Sequence, residues 1–385
     1  MLYVLLDLTR KWLSGYYSVF GILDQIQFRA LAATLLSFAI MIVFGRRVIA
    51  MLVRLKIGDA GLSDAEALQR HAASRANVPT MGGILIAGAI LVSTLLLADI
   101  RQFYVQCGLI VFVLFAMLGG VDDWLKLTAS RRGSKSRQGL YAWEKLIFQL
   151  GISALVALFL YRQSGTENDL SHVLNLPGQK TWESPGNLSA SLIYLGAPLY
   201  VLFAVLMITG LSNAVNISDG MDGLAGGTSG IVSIGLLLIS LIAGSRAWSQ
   251  YFLVPHIPIS DELAVMAGAM MGACFGFLWW NCSPASVFMG DTGALSLGAL
   301  VGYIAVITRQ EVVVLAMCGI FLIEAGSVML QVGYFKSTGG KRIFKVAPYH
   351  HHLHLSGWTE QQVVARFWII TVLLVVLGLA SIKVR

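Results

Sequence analysis

Residues 104–126, YVQCGLIVFVLFAMLGGVDDWLK, open as an apolar run and close on two aspartates and a lysine. A helix that crosses a bilayer needs roughly 20 mostly apolar residues, and the run 104–120 approaches that length. Carboxylates are costly at membrane depth, so a pair of them at the end of such a run marks a site or a pathway.

Outward from this stretch the pattern repeats. Ten apolar runs predict membrane-crossing helices near 28–45, 82–99, 104–120, 146–161, 191–210, 224–243, 264–280, 294–308, 312–334 and 364–382. The eighth is short, so it is expected either to tilt little or to be a broken span. The runs are continuous rather than alternating and far longer than barrel strands, which excludes a membrane β-barrel. Composition agrees. The chain of 385 residues is 57% hydrophobic and 12% charged, with mean hydropathy +0.75. Soluble domains average roughly 45–50% apolar and about 25% charged, so a soluble enzyme, a disordered chain and a collagen-like repeat are excluded. Cys107, Cys274, Cys282 and Cys318 lie in or beside apolar runs without CxxC spacing and read as packing residues, not as a disulfide scaffold. The expected fold class is an all-α integral membrane protein of about ten transmembrane helices, one polytopic domain over 1–385.

Within that domain, residues 1–22 read as an interfacial segment anchored by Trp12, Tyr16, Tyr17 and Phe20. The polar, turn-rich stretch 163–190 reads as an outer loop or hairpin, and 335–360 as an inner loop carrying histidines. The formal net charge is +7, but its distribution speaks for topology rather than nucleic acid. The connections after the first, third, fifth, seventh and ninth spans hold 17 of the 27 Lys and Arg residues. That side is expected to be cytoplasmic, which places both termini outside.

The polar residues gather on the same side. Asp122 and Asp123 close the third span, Asp219 and Asp222 follow the fifth in NAVNISDGMDGLAGG, Asp291 follows the seventh in NCSPASVFMGDTGAL, and His350, His351, His352 and His354 precede the tenth. Taken singly, each has a plain alternative: a helix end, a solvated turn, or an N-cap at Asp291. Together on one face they point to one convergent site. Clustered aspartates and Asn- and Gly-rich turns supply hard oxygen ligands suited to Mg²⁺ rather than the Cys/His set preferred by Zn²⁺. Lys126, one helical turn beyond the aspartate pair, can neutralise a phosphate beside the metal. The glycine-rich turns let backbone N–H groups approach an anion. The chemistry so read is metal-assisted phosphate chemistry at a membrane face.

At these residues the chain closely resembles the phospho-N-acetylmuramoyl-pentapeptide transferases (the MraY branch of the polyprenyl-phosphate N-acetylhexosamine-1-phosphate transferases, glycosyltransferase family 4). The matching stretches, in family order, are PTMGG (79–83), VDDWLK (121–126), GLYAWEK (139–145), NAVNISDGMDGLAGG (213–227), GFLWWNCSPASVFMGDTGAL (276–295), KRIFKVAPYHHHLHLSGW (341–358) and RFWI (366–369). The triple histidine points to the muramoyl-pentapeptide branch.

The resemblance implies transfer of phospho-MurNAc-pentapeptide from UDP-MurNAc-pentapeptide to undecaprenyl phosphate, giving lipid I and UMP, with Mg²⁺ as cofactor. It implies a bacterial inner membrane setting, a cytoplasmic cleft and a homodimer. By motif position, Asp122 would serve as base or positioner for the lipid phosphate, and Asp123 would assist metal or phosphate placement. Asp291 would be the principal Mg²⁺ ligand, with Asp219, Asp222, Asn213 and Asn216 lining the nucleotide and metal pocket. Phe288 would stack on uracil beside Asn281, Gly220 and Met221. Lys126, Lys145 and Arg75 would hold phosphates, and His350, His351 and His352 would meet diphosphate or sugar. Three positions depart from the family pattern: Arg75 replaces a lysine ahead of PTMGG, His354 replaces a glutamate after the histidines, and the loop after Lys126 is longer and more basic. Direct attack by the lipid phosphate and a two-step path through a phospho-aspartyl enzyme, on Asp291 or Asp122, both fit the residues. The competing readings are a sister enzyme moving GlcNAc-1-phosphate and, from another class, an ion-coupled transporter, which would spread its acids through the spans at mid-depth.

Overall fold

The computed structural model describes residues 1–9, 21–54, 78–129, 139–163, 170–182 and 192–383. Among the described residues the regular structure is helical, and the only β pairing is an isolated antiparallel bridge between Val173 and Tyr194. The helices are α1 (Leu2–Leu8), α2 (Ile26–Arg54), α3 (Gly83–Leu97), α4 (Phe103–Ala129), α5 (Ala142–Gln163), α6 (Ala197–Ser218) and α7 (Leu224–Gly244), followed by α8 (Arg246–Phe252), α9 (Leu263–Asn281), α10 (Gly290–Ile307), α11 (Glu311–Met317), α12 (Gly319–Ser337), α13 (Tyr349–His354) and α14 (Glu360–Ser381). Eight helices are long and apolar enough to cross a membrane, α11 with α12 makes a ninth bent span, and α3 is a shorter apolar helix. The protein is an all-helical integral membrane protein, and each of the ten expected runs carries one of these elements.

Two boundaries differ from the sequence reading. The fifth span was expected at 191–210, whereas α6 runs from Ala197 to Ser218. Gly196 and Pro198 fix its start, because proline is tolerated in the first turn and nowhere deeper. The shift puts Asn213 and Asn216 on the helix and leaves Asp219 to cap it. The broken span is the ninth rather than the eighth: α10 is continuous, while α11 and α12 meet at 79° around Cys318. At the bend Cys318 N–H donates to Val314 O and Leu322 N–H to Cys318 O, so Cys318 belongs to the hydrogen bonding of both helices.

Helix contacts inside the bundle are made by small residues. Gly268, Gly272 and Gly276 form one stripe of α9, and a Cβ at any of them would overlap α2 at Ala30, Thr34 or Met41. Lipid tails are as apolar as leucine, so helices in a bilayer associate by close packing, and small residues permit it. The most enclosed helix is α10, every residue of which from Asp291 to Ile307 is buried. It therefore crosses the middle of the bundle, with Asp291 at its first turn and Arg309 just past its last.

The expected interfacial segment begins with α1, whose Asp7 pairs with Arg101 at 2.9 Å beyond the end of α3. Trp12, Tyr16, Tyr17 and Phe20 lie outside the described residues. The stretch 170–182 is a 3-10 turn at Leu170–His172 followed by irregular chain, tied down where Thr181 N–H donates to Leu253 O. The segment 335–360 is less of a loop than expected, since α12 reaches Ser337 and α13 lies within it.

Candidate active site

At one end of the bundle, α4 delivers Asp122 and Asp123 about two turns before it finishes, α5 delivers Lys145 in its first turn, and α10 delivers Asp291 as its second residue. Oxygens of Asp122, Asp123 and Asp291 lie within 4.8 Å of one another. The approach is possible because Gly119, one turn before Asp123, faces the backbone of Asp291 and Thr292, where any Cβ would overlap it.

The three carboxylates are held differently. Asp123 is tied to the start of α10: Asp291 N–H donates to its Oδ1 at 3.1 Å, and Thr292 donates to its Oδ2 from N–H at 3.0 Å and from Oγ1 at 2.7 Å. It is a cap supplied from another helix, and the positive end of α10 favours its charge. Asp122 Oδ1 accepts the Leu140 N–H at 2.7 Å, and its Oδ2 meets Lys126 Nζ at 2.8 Å and Lys145 Nζ at 2.7 Å. Asp291 Oδ1 accepts from Lys126 at 3.1 Å and Oδ2 from Lys145 at 2.5 Å. Among the described residues, no backbone N–H donates to the Asp291 carboxylate, so it is the acid freest to take a new partner.

Asp219, at the end of α6, lies beside the Gly290 backbone N–H. The residue as a whole keeps some exposure, but enough protein surrounds its carboxyl that burial, followed by the charges of Asp291 and Asp123, pushes it up to about 7. Four carboxylates thus face two ammonium groups, two charges short of neutrality when all are ionised. The donors are oxygens with no Cys or His among the grouped ligands. Such a set suits a hard divalent cation, and the charge deficit is the one such a cation closes. The acids sit at the ends of α4, α6 and α10, not spread through the spans, which is the arrangement a transporter reading does not predict.

A second layer surrounds the acids. Phe288 and Met289 run alongside residues 79–83, with Phe288 N–H donating to Pro79 O, Gly82 N–H to Phe288 O and Gly83 N–H to Met289 O, each at 2.8 Å. Asn281 joins this strip to the turn after α6: its Oδ1 accepts Gly223 N–H at 2.9 Å and its Nδ2 donates to Val287 O at 2.8 Å. Asp222 Oδ2 accepts Ala285 N–H at 3.1 Å. Asn281 and Asp222 therefore act as fasteners between loops. Met221 is buried with Leu224, Ile320, Val363, Val364 and Phe367, so only its backbone is available to a ligand.

Other expected residues lie elsewhere. Asn213 turns to α5, donating from Nδ2 to Gln149 Oε1 at 2.6 Å and to Thr209 O at 2.9 Å. Asn216 is one turn from the acids, and its carbonyl accepts the Asp219 N–H at 3.2 Å. His350 is fully buried beside Gly220, with His351 4.1 Å away ring to ring. His352 packs with Tyr349 and Phe344 and accepts Lys345 N–H at 3.2 Å, which orders the basic loop. Arg75 lies outside the described residues.

Sequence reasoning passed over Glu324, fully buried on α12 and 2.8 Å from His350 Nδ1. The signal was present: it is the one carboxylate inside the run 312–334. It also passed over Thr292, whose hydroxyl helps fix Asp123.

Comparison with known proteins places this geometry. Residues 105–309, more than half of the chain, match the family profile of glycosyl transferase family 4. A phospho-N-acetylmuramoyl-pentapeptide-transferase of Thermodesulfovibrio yellowstonii is 43% identical over 373 residues, covering 97% of this chain and 98% of that protein. The proteins of the same name from Psychrobacter cryohalolentis and Psychrobacter arcticus are 44% and 43% identical over 381 and 375 residues, each covering 97% of this chain and 98% of its own length. With acids, lysines and histidines meeting at one end of the bundle and this likeness running nearly end to end, the chain belongs to the phospho-N-acetylmuramoyl-pentapeptide transferases of glycosyl transferase family 4.

Proposed function

We propose that this protein moves phospho-MurNAc-pentapeptide from UDP-MurNAc-pentapeptide to undecaprenyl phosphate, giving lipid I and UMP, in the bacterial inner membrane with the acid cluster facing the cytoplasm. The observation that carries the reading is the 43% identity to a transferase of that name over 97% of the chain. The excess of Lys and Arg on the connections nearest the acids supports the orientation, and the homodimer is carried by the resemblance alone.

Phosphoryl transfer asks a protein for in-line positioning and charge neutralisation more than for covalent help. Asp291, with Asp219 and Asp122 beside it, is placed to hold Mg²⁺. Asp123, its oxygens committed to the start of α10, keeps Asp291 in place rather than serving as a free ligand. When bound, Mg²⁺ would neutralise charge on the diphosphate. Lys126 and Lys145, which hold Asp122 and Asp291 together, would hold phosphate oxygens beside that site. Asp122, fixed through Oδ1 by Leu140 N–H, keeps Oδ2 for the lipid phosphate, as base or positioner. Phe288, presented by the 79–83 strip, offers a ring for the uracil to stack on.

The test is purified protein in lipid nanodiscs with undecaprenyl phosphate and Mg²⁺, supplied with UDP-MurNAc-pentapeptide or UDP-GlcNAc, with UMP release and lipid product followed together. Lipid I formation from the first donor is expected. Turnover of UDP-GlcNAc alone would replace this reading with the sister activity.

A further inference from the structure

Glu324 stands on the apolar helix α12, and its side chain is fully buried. Its two oxygens face a single residue. Oε1 accepts the backbone N–H of His350 at 3.1 Å, and Oε2 meets His350 Nδ1 at 2.8 Å. Pro348, the residue ahead of α13, offers no side-chain cap, so the carboxylate of Glu324 satisfies the start of that short helix from outside. With Nδ1 paired to that carboxyl, the ring's other nitrogen is turned the opposite way. That atom, Nε2, is buried and among the described residues has no hydrogen-bond partner. It lies against Gly220, where a Cβ would overlap it.

A chain of contacts results: Glu324 on the bent span, the His350 ring, Gly220, then Asp219, which lies beside the Gly290 N–H and near Asp291. Stability alone does not account for it. A carboxyl group at membrane depth is expensive, and a buried polar pair is often no better than apolar side chains of the same shape. An unmet buried nitrogen adds a further cost. An apolar pair would fill this volume at less cost, whereas a ring locked in one orientation supplies a rigid support of fixed depth beneath the turn.

We infer that Glu324 is a positioning residue: by locking the His350 ring under Gly220, it sets the Asp219–Gly220 turn at the depth where the donor nucleotide sugar is received. The inference rests on the donor binding at that turn, as in the proposed reaction. It separates the two substrates, because Asp122, assigned to the lipid phosphate in that reaction, is carried by α4, which the contact chain does not include.

The experiment compares wild type, Glu324→Gln and Gly220→Ala in nanodiscs, measuring KM for each substrate, kcat, UMP affinity by calorimetry and the thermal unfolding midpoint. Glutamine keeps the size but cannot accept from both donors, and alanine pushes the ring away from the other side. A rise of about tenfold or more in the donor's KM is expected for both variants, with UMP affinity weakened in parallel, the scale known for losing the partner that orients a metal-bound histidine. The KM for undecaprenyl phosphate should stay within about twofold. If both variants keep the donor's KM and UMP affinity, or if both KM values rise together, the inference falls, whatever happens to the unfolding midpoint. Should Glu324→Gln fail to fold, Gly220→Ala decides by the same split. Should the wild type use UDP-GlcNAc instead, the reaction assignment falls, and the split measured with that donor still decides the role of Glu324.

Discussion

Asp291 and Arg309 stand at opposite ends of α10, about 27 Å apart at helical rise, and both belong to clusters of charge, but the clusters are built differently. At the Arg309 end everything is closed. Arg309 Nη1 pairs with Glu311 at 2.9 Å, with side-chain exposures of 1% and 6%. Its Nε donates to Val173 O at 3.0 Å, and its guanidinium sits 5.1 Å from the Tyr200 ring centre. The charges balance one to one. At the Asp291 end the acids outnumber the lysines, and the lysine side chains are 45% and 17% exposed. A balanced, sealed cluster can only fasten; an unbalanced, open one can exchange its partners for a ligand. The same contrast holds at the start of α2, where Arg29 grips Glu262 with both Nη atoms at 2.9 and 2.6 Å and donates to Leu97 O.

The sharpest way to break this contrast is Asp291→Asn. Turnover is expected to fall by at least about 10³-fold, the loss of several kcal/mol of charge stabilisation, with the unfolding midpoint close to wild type. Near-normal lipid product would remove Asp291 from the chemistry. Next comes Arg309→Met, which strands Glu311 as a buried charge and should cost about 3–5 kcal/mol of stability. The fraction that stays folded should keep the wild-type KM for both substrates. Adding Glu311→Leu should recover most of the lost stability, because an apolar pair can replace a sealed ion pair. A double variant no better than the single one would mean the Arg309 cluster does more than fasten.

The sealed and the open clusters were not equally legible in the sequence. The spans were, because twenty apolar residues leave a mark that no neighbour can erase, and so was the gathering of Asp122, Asp219 and Asp291, since topology alone sends all three to one end. The break at Cys318 was not, for hydropathy records composition and not direction. Asp123 and Asp291 read alike on paper, yet one is spent on Thr292 and the start of α10 while the other stays open, a distinction that exists only once α4 and α10 touch at Gly119. Met221 shares a motif with Gly220 but belongs to the packing under the turn. Glu324 was visible as a carboxylate in an apolar run, but its partner His350 lies 26 residues on in another helix, and no local spacing links the two.

Between the two lysines the structure ranks Lys145 first. It is the less exposed and the closer to both acids, at 2.7 and 2.5 Å against 2.8 and 3.1 Å for Lys126. Lys145→Met is expected to lower kcat/KM by about 10²-fold, in the range for losing one preorganised donor, and Lys126→Met by less. An equal or reversed order, measured as initial rates of UMP release, would show that exposure does not grade these cations.

The smallest effect tests the fastening end by pH. Asp99, just beyond α3, is hydrogen-bonded by Arg101 through N–H at 3.1 Å, Nε at 2.8 Å and Nη2 at 3.0 Å, and by Gln102 at 3.1 Å. Burial pushes its carboxyl up and is the largest single influence, but the Arg101 and Gln102 bonds together hold it below the ordinary value. Because the folded chain prefers the ionised form, the stabilisation is complete above the unfolded value of about 3.9 and is lost as pH falls through the lower folded one. At the open end the sign is reversed: Asp219, raised to about 7, favours its protonated form in the metal-free fold, so that its contribution is lost as pH climbs from about 4 toward 7. Asp99→Asn should therefore lower the unfolding midpoint by a constant small amount from pH 8 to pH 5, with the gap closing below about pH 4 and turnover unchanged throughout. A gap that persists undiminished into acid would mean that Asp99 serves by shape rather than by charge.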